Sequence, residues 1–178
     1  MQMLVDITNK QGLLLDIRYA SSNNFTGQTI YSQPKLYLHK QAALLLDKAI
    51  EIASKCGYQL KVFDGFRPSS AQYKLWEHTP NPNFITPPDK GSPHTRGVAV
   101  DLTLCDENGK ELDLGTDFDD FTAKSFHSNL EISKKAQINR KILLGIMTAA
   151  GWDYFENEWW HYQLHHPRGY PLIDGFEI

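Results

Sequence analysis

An aspartate set inside an apolar strand constrains this chain more than any other feature. From Gly97 to Leu104 the sequence alternates Val98, Val100, Leu102 and Leu104 against Ala99, Asp101 and Thr103. That is the period-two pattern of a β-strand, with Asp101 on the face opposite the large aliphatic residues. An uncompensated carboxylate buried on such a face costs several kcal/mol or surrenders its charge, whereas a metal ion satisfies it outright. One face of the strand therefore builds core while the other is expected to meet a cation.

His94 lies seven positions before Asp101, a spacing that would put the two on opposite faces of one continuous strand. It has to enter from the loop ahead of the strand, and Gly97 lets the backbone bend there. A second segment, Glu158-Trp159-Trp160-His161-Tyr162, alternates so that His161 shares a face with Trp159. Two histidines and one aspartate suit zinc and leave a fourth tetrahedral position open for water, as in a catalytic rather than a structural site. Glu158, three residues before His161, is placed to take a proton from that water and carry it to a leaving amine. A lone histidine near a strand end is ordinarily a hydrogen-bonded structural residue, and His39, His78, His127, His165 and His166 are read that way.

The surrounding pattern is α+β: helices packed on a small, mostly antiparallel sheet that carries the zinc site. Leu38 to Cys56 repeats Ala42, Leu45, Leu46, Ala49, Ile50 and Ala53 at helical spacing, with Gly57 as the stop. Gln59 to Asp64 reads as a strand ending at Gly65, and Pro68-Ser69-Ser70 opens a helix through about Trp76. His78 to Arg96, with five prolines, is a long loop. Glu107-Asn108-Gly109-Lys110 predicts a hairpin after the Asp101 strand. Gln137 to Ala150 predicts a third helix closed by Gly151, and Trp152 to Leu164 two aromatic strands broken around Glu156-Asn157-Glu158.

With 178 residues the chain is expected to be one domain, residues 1–178. A net charge of −3 without a Lys/Arg run leaves no footprint for nucleic acid, and no apolar stretch is long enough for a membrane span. A small substrate is the expected partner. Met1 to Asp6 lacks the basic start and apolar run of a signal peptide, which reads as cytoplasmic, or as periplasmic or secreted had a signal been removed. Cys56 and Cys105 form no CxxC pair and are expected as free core thiols.

Ser-x-His-x-x-Gly-x-Ala-x-Asp, here Ser92 to Asp101, together with Glu-Trp-Trp-His, here Glu158 to His161, resembles the zinc D-alanyl-D-alanine dipeptidases of the VanX type. The likeness continues through Arg18-Tyr19-Ala20, Asn24-Phe25-Thr26-Gly27, Asp64-Gly65-Phe66-Arg67-Pro68 and Gly115-Thr116-Asp117-Phe118-Asp119. It implies one zinc ion per chain on His94, Asp101 and His161, with Glu158 as base and Arg67 stabilising the tetrahedral intermediate of D-Ala-D-Ala hydrolysis. It further implies that Ser92 and Asp119 hold the substrate ammonium, with Tyr19 lining the same pocket. Pro93 departs from the small polar residue expected there, and the stretch from Arg67 to His94 is short for the family. A related D,D-carboxypeptidase or wall endopeptidase would share the metal and base. A non-catalytic zinc module would need neither Glu158 nor Arg67.

Overall fold

A computed structural model describes residues 3–178. Seven strands and three α-helices occur in it. They are β1 (Leu4–Asp6), β2 (Leu13–Leu15), β3 (Tyr37–His39), α1 (Lys40–Lys55), β4 (Gln59–Asp64), α2 (Ser69–His78), β5 (Ala99–Cys105), α3 (Lys134–Ala150), β6 (Asp153–Tyr154) and β7 (His161–Gln163). The main sheet has the order β2-β4-β5-β7-β6, in which only β2 and β4 run parallel, and β1 pairs with β3 in a separate two-stranded sheet. The architecture is the α+β arrangement the pattern predicts.

Every residue of β5 is buried, for two different reasons. Val98, Val100, Leu102 and Leu104 join the main core with Leu46, Ala49 and Ala53 of α1 and Leu143, Met147 and Ala150 of α3. These two helices pack on each other and on the sheet. Burial of a Val or Leu side chain contributes roughly 1.5–3 kcal/mol, so this face holds β5 in place. The opposite face carries Asp101.

Helix ends follow their local chemistry. Ser133 Oγ accepts the Ala136 N–H at 3.0 Å, so α3 begins at Lys134, three residues before its periodicity becomes visible. Gly151 ends it in the left-handed region, φ 106°. In α1 the buried stripe is Ala42, Leu46, Ala49 and Ala53, with Leu45 and Ile50 packed beside it. The helix starts at Lys40 because Leu38 belongs to β3.

Two expectations need correcting. The turn at Glu107–Lys110 forms, with Asp106 Oδ1 accepting the Asn108 and Lys110 N–H groups at 2.9 Å each, but no second strand follows. Only a single bridge joins Cys105 to Glu111. The reason is occupancy: β7 and Trp160 already bond the edge of β5 from Ala99 to Leu102, so the returning chain can pair only at its far end. Cys105 is buried, and burial pushes its thiol up to about 11, but Cys56 is exposed. Cys56 falls one residue past the end of α1 and so leaves the buried stripe. Both thiols are free. Among the described residues no helix is long and apolar enough to cross a membrane.

Candidate active site

Strand register assembles the centre of the site. Val62 of β4 pairs with Leu102, yet Asp64, not Phe63, pairs with Asp101, because a bulge inserts one residue there. Asp101 in turn pairs with His161 of β7. The bulge thus brings Asp64, Asp101 and His161 into one row across three strands.

His94 reaches the row from a 3-10 turn, His94–Arg96, that ends at Gly97 with φ 67° and ψ 17°. That left-handed bend is what the odd spacing to Asp101 requires. A Cβ on Gly97 would also lie 2.6 Å from Leu4 Cδ2 and 3.1 Å from the His39 backbone nitrogen, so glycine is needed twice over. His94 Nε2 sits 3.2 Å from His161 Nδ1 and 3.3 Å from Asp101 Oδ2, and His161 Nδ1 sits 3.1 Å from Asp101 Oδ1.

The outer nitrogens fix the tautomers. His94 Nδ1 donates to the Gly65 carbonyl at 2.7 Å, and His161 Nε2 donates to Gln163 Oε1 at 3.0 Å. In the neutral rings both inner nitrogens then carry lone pairs. Two lone pairs and a carboxylate, with ligand atoms all within 4.8 Å of one another and all three residues buried, form a set of mutually repelling acceptors. A divalent cation resolves the repulsion, and this imidazole and carboxylate donor set suits zinc. Burial works to raise the Asp101 carboxyl, and positive charge at this point, as on the two imidazoles when they are protonated, reverses that and holds it far below the usual carboxylate range.

Glu158 is buried on the turn before β7, its Oε2 3.8 Å from His161 Nδ1. Burial, and then the neighbouring Asp101 charge, push its carboxyl well above the ordinary value. Arg67 is clamped from several sides. Its Nε and Nη2 lie 2.9 and 2.7 Å from Asp64 Oδ2, its Nη1 donates to Gln72 Oε1 at 3.0 Å, and its backbone N–H donates to the His94 carbonyl. Asp64 Oδ1 in turn accepts from Tyr31 Oη at 2.7 Å and from the Gly65 N–H at 2.9 Å. The free side of Nη2 is 3.6 Å from Asp101 Oδ2, which aims the guanidinium at the centre.

The remaining three residues stand on the same cavity of about 500 Å³. Tyr19, fully buried, donates its hydroxyl to Asp119 Oδ2 at 2.9 Å. Asp119 adopts φ 62°, a strained left-handed conformation for a residue with a side chain. Burial, and then Asp101, push its carboxyl upward, so a cation placed beside it is favoured. Ser92, which lines the cavity, accepts the His94 N–H on its Oγ at 3.2 Å, a contact that starts the 3-10 turn and uses one of the two hydroxyl lone pairs. All eight residues singled out from the sequence therefore line one cavity.

Sequence reasoning gave no role to several supporting side chains. Gln163 lies two residues after His161 on the same strand face, a spacing that could have flagged it. Nothing local marks Gln72, Tyr31 or Arg140. Arg140 donates to the Leu114 and Phe126 carbonyls, and Trp159 Nε1 donates to Thr116 Oγ1 at 2.8 Å, so the Asp119 loop is held from α3 and from the turn before β7. His39, expected as structural, caps α1 by accepting the Gln41 N–H.

A protein-family model described as D-Ala-D-Ala dipeptidase, within peptidase M15, matches residues 5–171. The chain is 41% identical over 161 residues to the D-alanyl-D-alanine dipeptidase of Escherichia coli K12, covering 90% of this chain and 83% of that one. It is 32% identical over 174 residues to the D-alanyl-D-alanine dipeptidase of Enterococcus faecalis V583, covering 86% of each.

Proposed function

Because this chain belongs to the D-Ala-D-Ala dipeptidase family of M15 peptidases, we propose that it is a zinc-dependent enzyme that hydrolyses D-alanyl-D-alanine to two molecules of D-alanine. The supporting observation is the facing set of two imidazole lone pairs and one carboxylate, with a proton-hungry carboxyl and a clamped guanidinium beside it.

His94, Asp101 and His161 are the residues to hold the ion. Bound there, zinc supplies the Lewis acidity that activates water and polarises a carbonyl. Glu158 takes the proton of the attacking water, a task its burial favours, and delivers that proton to the leaving amine. Arg67 puts a fixed positive charge where the carbonyl oxygen becomes negative. Such a preorganised charge is worth several kcal/mol because it does not reorganise during the reaction. Asp64 and Gln72 keep it fixed. Asp119, oriented by Tyr19, takes the substrate ammonium together with Ser92.

The reading makes a free amino terminus essential. A blocked terminus removes a charge contact and strands a half-buried carboxylate, a loss of about 2–5 kcal/mol, or roughly 30-fold to several-thousand-fold in kcat/KM. The test incubates zinc-loaded protein with D-Ala-D-Ala, L-Ala-L-Ala and a pentapeptide ending in D-Ala-D-Ala, following amine release. Fast cleavage of the free D,D-dipeptide alone is expected. Comparable kcat/KM for the pentapeptide would assign the protein to D,D-carboxypeptidase chemistry instead.

A further inference from the structure

Four permanent cations line the cavity: Arg67, Lys90, Arg96 and Arg168. Arg67 is neutralised by Asp64. Lys90 and Arg168 are exposed, where water and salt screen them. Arg96 differs from all three. It is half-buried, its Nη1 donates to the Tyr170 carbonyl, and its Nε is buried with no acceptor. Among the described residues no carboxylate lies within ion-pair distance of it.

Its place is set by the fold. The pairing of Ala99 with Gln163, continued by the Leu164 N–H donating to the Val98 carbonyl, runs the segment before β5 toward residues 166–170. Gly91 closes the other side, where a Cβ would lie 3.0 Å from Arg96 Nη2. Arg96 is therefore a positioned cation on one wall. Asp119 stands on another, with Tyr19 and Phe118, and no ion pair joins the two.

A half-buried guanidinium without a counter-ion is costly, and an entering carboxylate removes that cost. We propose that Arg96 anchors the terminal carboxylate of the dipeptide, so that the cavity selects a zwitterion with its ammonium at Asp119 and its carboxylate at Arg96. The proposal rests on the dipeptidase reading and adds to it the recognition of the leaving residue. Arg96 makes the contact in binding and takes no part in moving protons.

The experiment compares D-Ala-D-Ala with its C-terminal amide, using zinc-loaded wild type, Arg96→Gln and Arg96→Lys. Wild type is expected to favour the free acid on the order of 30-fold or more in kcat/KM. In Arg96→Gln the free acid should lose that advantage, chiefly through KM, while the amide is cleaved as in wild type. Arg96→Lys, which keeps the charge and loses the fork, should fall between the two. A purely structural role, through the Tyr170 carbonyl, would slow both substrates equally and leave the acid-to-amide ratio unchanged, and that result overturns the proposal. Should Arg96→Gln fail to fold, the ratio in Arg96→Lys decides: a wild-type ratio there refutes the anchor. Wild type inactive on both substrates would refute the dipeptidase reading itself.

Discussion

Two walls of the same cavity are built by different means. The wall that carries Asp101 and His161 stands on strands: register and one bulge align Asp64, Asp101 and His161, and β5 beneath them is locked by core packing on its other face. The Asp119 wall stands on a loop between Gly115 and Phe121, held by distant side chains, by Arg140 on two carbonyls and by Trp159 on Thr116. A strand wall gives fixed distances, which a metal demands. A tethered loop gives a charge that can be tuned or shifted without disturbing the His94, Asp101 and His161 cluster. The contrast predicts that damage to the first wall removes the metal and the chemistry together, whereas damage to the second spares the metal and changes substrate binding.

The sharpest break is at the three residues proposed to hold the metal. His161→Ala or Asp101→Ala should lose stoichiometric zinc and at least about 10³-fold in kcat/KM, since three protein ligands leave no redundancy. Metal analysis beside the assay checks it, and full zinc with full activity would remove that residue from the site. Next comes Glu158→Gln, on the strand side but not a ligand. It should keep zinc while kcat falls by at least about 10²-fold. Wild-type turnover there would mean that another group moves the proton.

On the loop wall the effects are smaller and of another kind. Asp119→Asn should retain zinc and lose roughly 30-fold or more in kcat/KM for free D-Ala-D-Ala, with less effect on an N-acetylated dipeptide. Loss of zinc in that variant would erase the distinction between the walls. Arg140→Met leaves the Leu114 and Phe126 carbonyls without their donor, at about 1–3 kcal/mol for each buried group left unpaired. A lower melting temperature and a KM raised a few-fold, at unchanged zinc content, are expected. An unaltered KM would show that the loop holds its shape without the tether.

The smallest effect concerns pH. His127 follows the Asp119 loop and packs against Tyr154 and Tyr162, where burial lowers its imidazole from 6.5 to about 4. The unfolded chain therefore takes up this proton before the folded one does. Stability from a neutral His127 is present above about pH 6.5 and is lost as the pH falls toward 4. Replacing His127 by Phe should shrink the drop in melting temperature between pH 7 and pH 4.5. An identical drop in wild type and variant would place the acid sensitivity elsewhere.

Much of this was legible along the chain, because it depends on neighbours in sequence. Helical spacing located α1 and α3, alternation located β4 and β5, and Gly97 with the odd step from His94 to Asp101 required the bend that the structure contains. The short strands β1, β2 and β3 carry only three residues each, too few for a period to show. The hairpin expected after β5 failed although its turn formed, since the competitor for that edge, β7, lies more than fifty residues away in the chain.

What the sequence by itself determined is the make-up of the centre: the residue types, the faces they occupy and the bend that turns them toward one point. Tertiary structure alone decided which partners restrain those groups. Asp64 holding Arg67, Gln163 holding His161, Arg140 holding the Asp119 loop and Arg96 standing unpaired all depend on hydrogen bonds and burial between distant segments. Local patterns report the face on which a side chain lies, because backbone geometry repeats. They do not report what lies across from it, because that is settled by how distant faces pack.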